Sequence, residues 1–216
     1  MERNIAGKEI IEKIFFEQGA VTDVAHRLLG KRLVTQRDGV LTSGIISETE
    51  AYAGRSDKAS HAWNGRLTQR TEVMFRPGGC IYVYLCYGIH SLLNIVTNKQ
   101  GEPDAVLIRG IIPEEGVAAM LQRRGAQSVN RNLTNGPGKV SQALGVHYTH
   151  TGRVLGSSHD DFRIWVEQGR SIDPAAIETA PRIGIDYAGD DRLNPWRFVL
   201  KKSSPVKVSF HFSVYP

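Results

Sequence analysis

Two glutamates stand two residues apart in Ser47-Glu48-Thr49-Glu50-Ala51-Tyr52, and they are the first residues whose types and spacing suggest chemistry. Alternation from Val40 to Tyr52 reads as a strand with Ile46, Glu48, Glu50 and Tyr52 on one face. Two carboxylates beside a phenol conflict with the apolar, core-like character of the rest of that strand. Carboxylates held this way can activate water or stabilise developing positive charge. The plain alternative is an edge strand with two solvated glutamates, and these six residues alone favour it.

Three of the seven tyrosines fall in Cys80-Ile81-Tyr82-Val83-Tyr84-Leu85-Cys86-Tyr87. Tyr82 and Tyr84 share a strand face, and Tyr87-Gly88 breaks the run, so Tyr87 is expected near the tip of a hairpin. Packing in a sheet explains Tyr82 well and Tyr87 poorly, because a ring at a tip has little to pack on but can wedge between bases. Asn94 interrupts Leu92, Leu93, Ile95 and Val96, and a buried amide there requires a hydrogen-bond partner, ordinarily a structural one.

His61 is one of seven histidines, and its interest depends on its neighbours. His147-Tyr148-Thr149-His150 has a metal-compatible spacing but lies in a loop without companion ligands, so no metal is expected. Asn135-Gly136-Pro137-Gly138-Lys139 resembles a phosphate-cradling turn at a helix start, yet the full nucleotide-binding pattern GxxxxGK[ST] is absent. Cys80 and Cys86, the only cysteines, are separated by six strand steps, roughly 20 Å, and read as reduced, packed thiols.

With 216 residues, 41% hydrophobic and 23% charged, the chain fits one folded domain spanning 1–216 and excludes a disordered or fibrous protein. No apolar run approaches the roughly 18 residues of a membrane span, and Met1 to Glu12 mixes charges of both signs, so the expected address is the cytoplasm. The excess of 27 Lys and Arg over 22 Asp and Glu, a charge of +5, favours a polyanionic partner without naming one. Nothing demands self-association, and a monomer is expected.

The elements that must position these residues follow from periodicity. Helical spacing predicts helices over 8–17 and 21–29; Lys31–Thr35 and Val40–Tyr52 form a hairpin around Arg37-Asp38-Gly39. Ser56 caps a short helix through Ala62, and Asn64–Glu72 is a basic loop. Strands are expected at 80–86, 91–97, 105–112, 162–167, 182–186, 198–201 and 206–214. Pro113 and Glu114 open a helix through Arg124, and a glycine-rich turn enters another over 136–144. This order does not repeat βαβ units, so the predicted class is α+β: a curved, mostly antiparallel sheet with flanking helices and a protruding β-hairpin.

Taken in order, the motifs resemble the alkyladenine (3-methyladenine, methylpurine) DNA glycosylase family. The resemblance rests on Glu48-Thr49-Glu50-Ala51-Tyr52, His61, Gly65-Arg66-Leu67-Thr68-Gln69-Arg70, Met74-Phe75, Pro77-Gly78, Tyr82-Val83-Tyr84, Tyr87-Gly88, Asn94 and Arg109. Gly136-Pro137-Gly138-Lys139, Gln142-Ala143-Leu144, Arg182-Ile183-Gly184-Ile185, Tyr187-Ala188-Gly189 and Pro195-Trp196-Arg197-Phe198 extend it over most of the chain. Thr71 departs from an expected Asn, and Ile89 to Leu93 are more aliphatic than in relatives with aromatic tips.

The resemblance implies a monofunctional enzyme of base excision repair that takes alkylated purines (3-methyladenine, 7-methylguanine) and hypoxanthine from duplex DNA and leaves an abasic site, without cofactor. It implies that Glu50 is the general base, that Arg109 and the main-chain carbonyl of Ile183 help hold the attacking water, and that Tyr52, His61 and Tyr84 sandwich the base. It further implies that Asn94 gates the pocket, that Tyr87 fills the gap in the duplex, and that Arg66 and Lys139 contact phosphates. Such an enzyme extrudes the nucleotide because a stacked base hides its glycosidic bond. The competing readings are a binding module without turnover and a metal-dependent hydrolase built on His147 and His150.

Overall fold

The computed structural model describes residues 9–158 and 161–201; the strand expected over 206–214 lies outside them. Two short helices, α1 (Ile14–Glu17) and α2 (Val21–Leu28), open the described chain. The helical spacing of Val21, Val24, Ala25 and Leu28 buries all four in the main core. Full burial of a side chain such as Leu28 contributes on the order of 2 kcal/mol. Of the helix expected over 8–17 only α1 forms. Ile10 instead bridges Glu167, and the Ile11 amide donates to the Val166 carbonyl (2.8 Å), so this stretch satisfies its backbone at a sheet edge.

The sheet comprises β1 (Arg32–Arg37), β2 (Val40–Tyr52), β3 (Ile81–Cys86), β4 (His90–Thr97), β5 (Asp104–Glu115), β6 (Phe162–Glu167), β7 (Ile177–Ala180) and β8 (Arg197–Leu200). Its main path runs β3-β4-β5-β2-β1-β6, with β8 paired to both β2 and β7. All these pairings are antiparallel, as expected of an α+β fold whose strands follow one another through hairpins. Helices α3 (Val117–Arg124) and α4 (Pro137–Leu144) flank it. Leu93 and Ile95 of β4 share the main core with Val140, Ala143 and Leu144 of α4.

The long strand β2 organises the site. Its first half pairs with β1 and its second, Glu48–Glu50, with β8, and the register against β5 shifts on both sides of Glu48. That irregularity corrects the expected face. Ile46 and Ala51 both belong to the main core, and Thr49 reaches back to the Ala25 carbonyl of α2 (2.9 Å). An extra residue near Ser47 therefore reverses side-chain parity, leaving Ile46 on the helix side and Glu48, Glu50 and Tyr52 opposite.

Three further expectations are overturned. The helix expected from Pro113 begins only at Val117, because β5 runs on through Glu115; Pro113 sits opposite Gly44 at a register shift, where a missing ladder donor is tolerated. Gly116 makes the break at φ 70°, and a Cβ there would lie 2.1 Å from the Leu41 carbonyl oxygen. Residues 56–62 form turns rather than a helix, since the Asp57 carboxylate takes the Ala53 and Ala59 amides (3.3 and 2.9 Å). Residues 182–186 pair with no strand among the described residues; the Arg182 and Ile183 donors are committed to Asp57 and Glu50.

Candidate active site

The cleft lies between the β3–β4 hairpin, the turns after β2 and the segment 183–187, and encloses about 280 Å³. Tyr52, His61, Tyr84, Asn94, Arg109 and Ile183 all line it, and Tyr87 stands at its rim. Glu50 lies beneath this wall with no exposed surface. Its Oε2 accepts from the Tyr52 hydroxyl (2.8 Å), its Oε1 accepts from the Ile183 amide (2.8 Å), and Arg109 Nη1 lies 3.4 Å from Oε1. Burial raises the Glu50 pKa above the usual carboxylate range, while Arg109, the Ile183 amide and the Tyr52 hydroxyl oppose that rise. A carboxylate with two oxygens retains acceptor capacity beyond these three donors.

Glu48, the second carboxylate, is buried beside it and serves Arg109. Its Oε1 accepts from Arg109 Nε (3.0 Å) and from Arg197 Nη1 (3.1 Å). Arg109 thus spans both glutamates. The Arg109 carbonyl in turn accepts from the Gly136 amide (2.8 Å), which ties the entry of α4 to the cleft floor and brings Pro137 into its wall.

The aromatic wall is built from facing elements. Tyr82 and Tyr84 alternate onto one face of β3 with ring centroids 5.5 Å apart, and His61 meets Tyr84 edge to face at 4.6 Å. His61 Nδ1 hydrogen-bonds the Tyr82 hydroxyl (2.9 Å). Burial, with a further push from Arg70, lowers the His61 pKa to about 4, so its imidazole is neutral at pH 7. Burial pushes the Tyr52 and Tyr84 phenols up. Asn94 is buried and donates to the Tyr82 and Leu92 carbonyls (3.1 and 3.3 Å), the partners its position between apolar residues required.

Tyr87 and Gly88 form the hairpin turn, both with positive φ, and Tyr87 is 93% exposed. Arg66 and Lys139 do not line the cleft: Arg66 is exposed in the loop after Gly65, and Lys139 is half-buried in the first turn of α4. His147 and His150 are engaged within their own loop, where His150 Nδ1 accepts the His147 amide (3.1 Å) and its ring stacks on Phe162 at 3.8 Å. Among the described residues no group of three or more His, Cys, Asp or Glu is placed to hold a metal.

The sequence pattern of methylpurine-DNA glycosylases (MPG) matches residues 14–204. A Chlamydia felis protein provisionally named a 3-methyladenine DNA glycosylase is 48% identical over 200 residues, covering 91% of this chain and all of the relative. A similarly named Bacillus subtilis protein is 45% identical, covering 86% and 90%. The chain belongs to the methylpurine-DNA glycosylase family. It is accordingly a DNA glycosylase of alkylation repair, a hydrolase of N-glycosyl bonds.

Neither Asp57 nor Arg182 is marked by the sequence motifs as a residue of the site. The Arg182 guanidinium pairs with both Asp57 oxygens, donates to the Ala51 carbonyl (2.9 Å), and lies 4.8 Å from the Tyr52 ring centroid and 5.0 Å from that of Trp196. The available signal was the charge of Arg182 inside a matched motif, which gave no hint of its partner. Tyr82, read as packing, also holds His61. The Ile183 amide, not foreseen, is bound to Glu50.

Proposed function

We propose that this glycosylase extrudes alkylated purines, 3-methyladenine and 7-methylguanine, from duplex DNA and cleaves the base from its sugar by direct attack of water. The supporting observation is the buried Glu50 carboxylate, fixed by Tyr52, Arg109 and Ile183 at the back of an aromatic cleft. In this reading Tyr52, His61 and Tyr84 enclose the base and Asn94 limits what enters. A cationic alkylpurine gains about 0.5–2 kcal/mol over the faces of such rings. Glu50 takes a proton from water as its oxygen bonds C1′; the C1′–N bond breaks, its electron pair leaves with the base, and the product is an abasic site. A cationic base departs neutral and needs no strong acid, whereas hypoxanthine requires a donor at the purine.

The duplex is held by phosphate contacts from Arg66 and Lys139, and Tyr87 occupies the space the nucleotide vacates. One domain acting as a monomer suffices for this reaction. No lysine is assigned to attack the sugar, so the strand stays intact.

Single-turnover release of one alkylated purine or hypoxanthine from a duplex, compared between wild type and Glu50→Gln with binding measured for both, tests the proposal. Release by wild type, with normal binding and no release by the variant, is the expected result. Binding of damaged duplex without release from any lesion identifies a recognition module instead. Borohydride trapping of a protein–DNA adduct contradicts direct attack by water.

A further inference from the structure

A second concavity, of about 440 Å³, lies on the other side of the β3–β4 hairpin from the cleft. Leu92 and Asn94 of β4 line the cleft, whereas Leu93 and Ile95 pack against α4. At the open end of that second interface Ile89, His90 and Ser91 meet Arg37, Arg123 and His147. Among the described residues its lining contains no carboxylate. Both guanidinium groups converge on Gly145: a Cβ built there would be 3.1 Å from Arg37 Cδ and 3.1 Å from Arg123 Cζ.

Part of their work is structural. Arg37 Nη1 donates to the Gly145 carbonyl (3.3 Å), and Arg123 Nη1 donates to the Ala143 carbonyl (3.1 Å) and the Thr42 hydroxyl (3.2 Å). Cations suit the C-terminal end of α4. One would serve, however, and a second like charge packed beside it costs energy; Arg123 is held below its usual pKa by burial and by Arg37. Among the described residues the counter-charge at hand is Asp38, exposed and 3.4 Å from Arg37 Nε, a pairing that solvent largely screens. Two crowded guanidinium groups facing an open groove are electrostatically suited to a phosphate backbone.

Position says which backbone. Tyr87 and Ile89, 93% and 73% exposed, project between the cleft and the groove. Where that tip enters a duplex, the strand carrying the extruded nucleotide is drawn to the cleft face, and the complementary strand falls on the face that carries Arg37 and Arg123. We infer that the groove formed by Arg37, Arg123, His90 and His147 binds phosphates of the undamaged complementary strand. This rests on the proposed function for the orientation of the duplex, and it adds a surface to that proposal that the cleft does not require.

The test is binding of the intact protein to one lesion-bearing oligonucleotide, single-stranded or annealed, across a salt series. Arg37→Gln with Arg123→Gln is expected to reduce the slope of log affinity against log salt by about 1 per arginine on duplex, and to leave single-strand binding and single-strand base release unchanged. Arg37→Lys with Arg123→Lys, which keeps the charge and alters the helix-end hydrogen bonds, retains duplex binding within about threefold; it also serves if the glutamine variant folds poorly. Equal losses on single strand and duplex, or an unchanged duplex slope in a folded glutamine variant, overturn the inference. Absence of base release from wild type overturns the glycosylase proposal but leaves this binding comparison readable.

Discussion

Arg182 sits over the Tyr52 ring, its guanidinium carbon 4.8 Å from the ring centroid, with the Trp196 ring centroid 5.0 Å away and Asp57 closing the ion pair. The Tyr52 ring, proposed above to help enclose the base, is thus braced by a cation with no exposed side-chain surface. Buried ion pairs owe little of their value to net Coulomb energy, but loss of one partner leaves the other charge uncompensated.

Arg182→Ala is therefore expected to destabilise the fold by about 3–5 kcal/mol. Arg182→Lys is the sharper test, since an ammonium cannot match both Asp57 oxygens, the Ala51 and Asp191 carbonyls and the contact with two rings. We expect it to fold and to slow single-turnover base release by about tenfold, about 1.4 kcal/mol in the barrier. Urea denaturation and single-turnover assays check this pair; a less stable protein with an unchanged rate would show that Arg182 supports the fold and not the site.

Tyr82→Phe removes the hydroxyl that meets His61 Nδ1 at 2.9 Å and leaves the ring in place. Such a hydrogen bond contributes about 1 kcal/mol, so the fold should lose about that much and release should slow by up to about fivefold. The same assay under saturating enzyme decides it, and no change would mean that ring packing alone holds His61.

What could be read in advance was local. The paired carboxylates of β2 and the tyrosine-rich hairpin announce themselves within a dozen residues; Tyr82, Tyr84 and Tyr87 line the cleft, because turn chemistry and β3 alternation are short-range properties, whereas Glu50 lies buried beneath its wall. The face of Ile46 was misjudged because a bulge resets parity and leaves no mark in the hydrophobic pattern. Pro113 looked like a helix opening, yet the extended β5 carries Glu114 and Glu115 to Arg32, which only the assembled sheet brings near. The partnerships of Arg182 with Asp57 and of Ile183 with Glu50 link residues 125 and 133 apart, beyond anything periodicity encodes.

The acid side of the pH profile should belong to Glu50. Its pKa is raised, chiefly by burial, so the rate should fall with decreasing pH at a midpoint above the usual glutamate value of about 4.3. His61, at about 4, does not titrate in the range above that. The charge of Glu48 contributes to the rise, so Glu48→Gln should move the midpoint to lower pH. The sign for folding is opposite to that of an ordinary salt-bridged carboxylate. Between its unfolded and folded pKa values Glu50 holds its proton more tightly in the native state, so stability declines as pH rises through that window. Glu50→Gln should remove this slope, which denaturation at several pH values measures; a midpoint unmoved by Glu48→Gln would show that Glu48 acts on Arg109 alone.

Tyr87 occupies a conformation that suits its surroundings and not its own side chain. At φ 51°, with Gly88 at φ 73° and the Ile89 amide donating to the Cys86 carbonyl (3.2 Å), it takes a left-handed turn position that favours Asn or Gly over a bulky ring. The ring is 93% exposed, so its removal forfeits little burial. Tyr87→Asn is consequently expected to stabilise the protein by about 0.5–1 kcal/mol, roughly 1–4 °C in Tm. The same change should slow base release from duplex by tenfold or more, since the space left by the extruded nucleotide stays open to its return, and should leave release from single-stranded substrate unchanged. A variant that is more stable and equally fast on duplex would remove the wedge role from Tyr87. One that is more stable and selectively slow on duplex would identify the strained turn as a cost retained for opening the duplex.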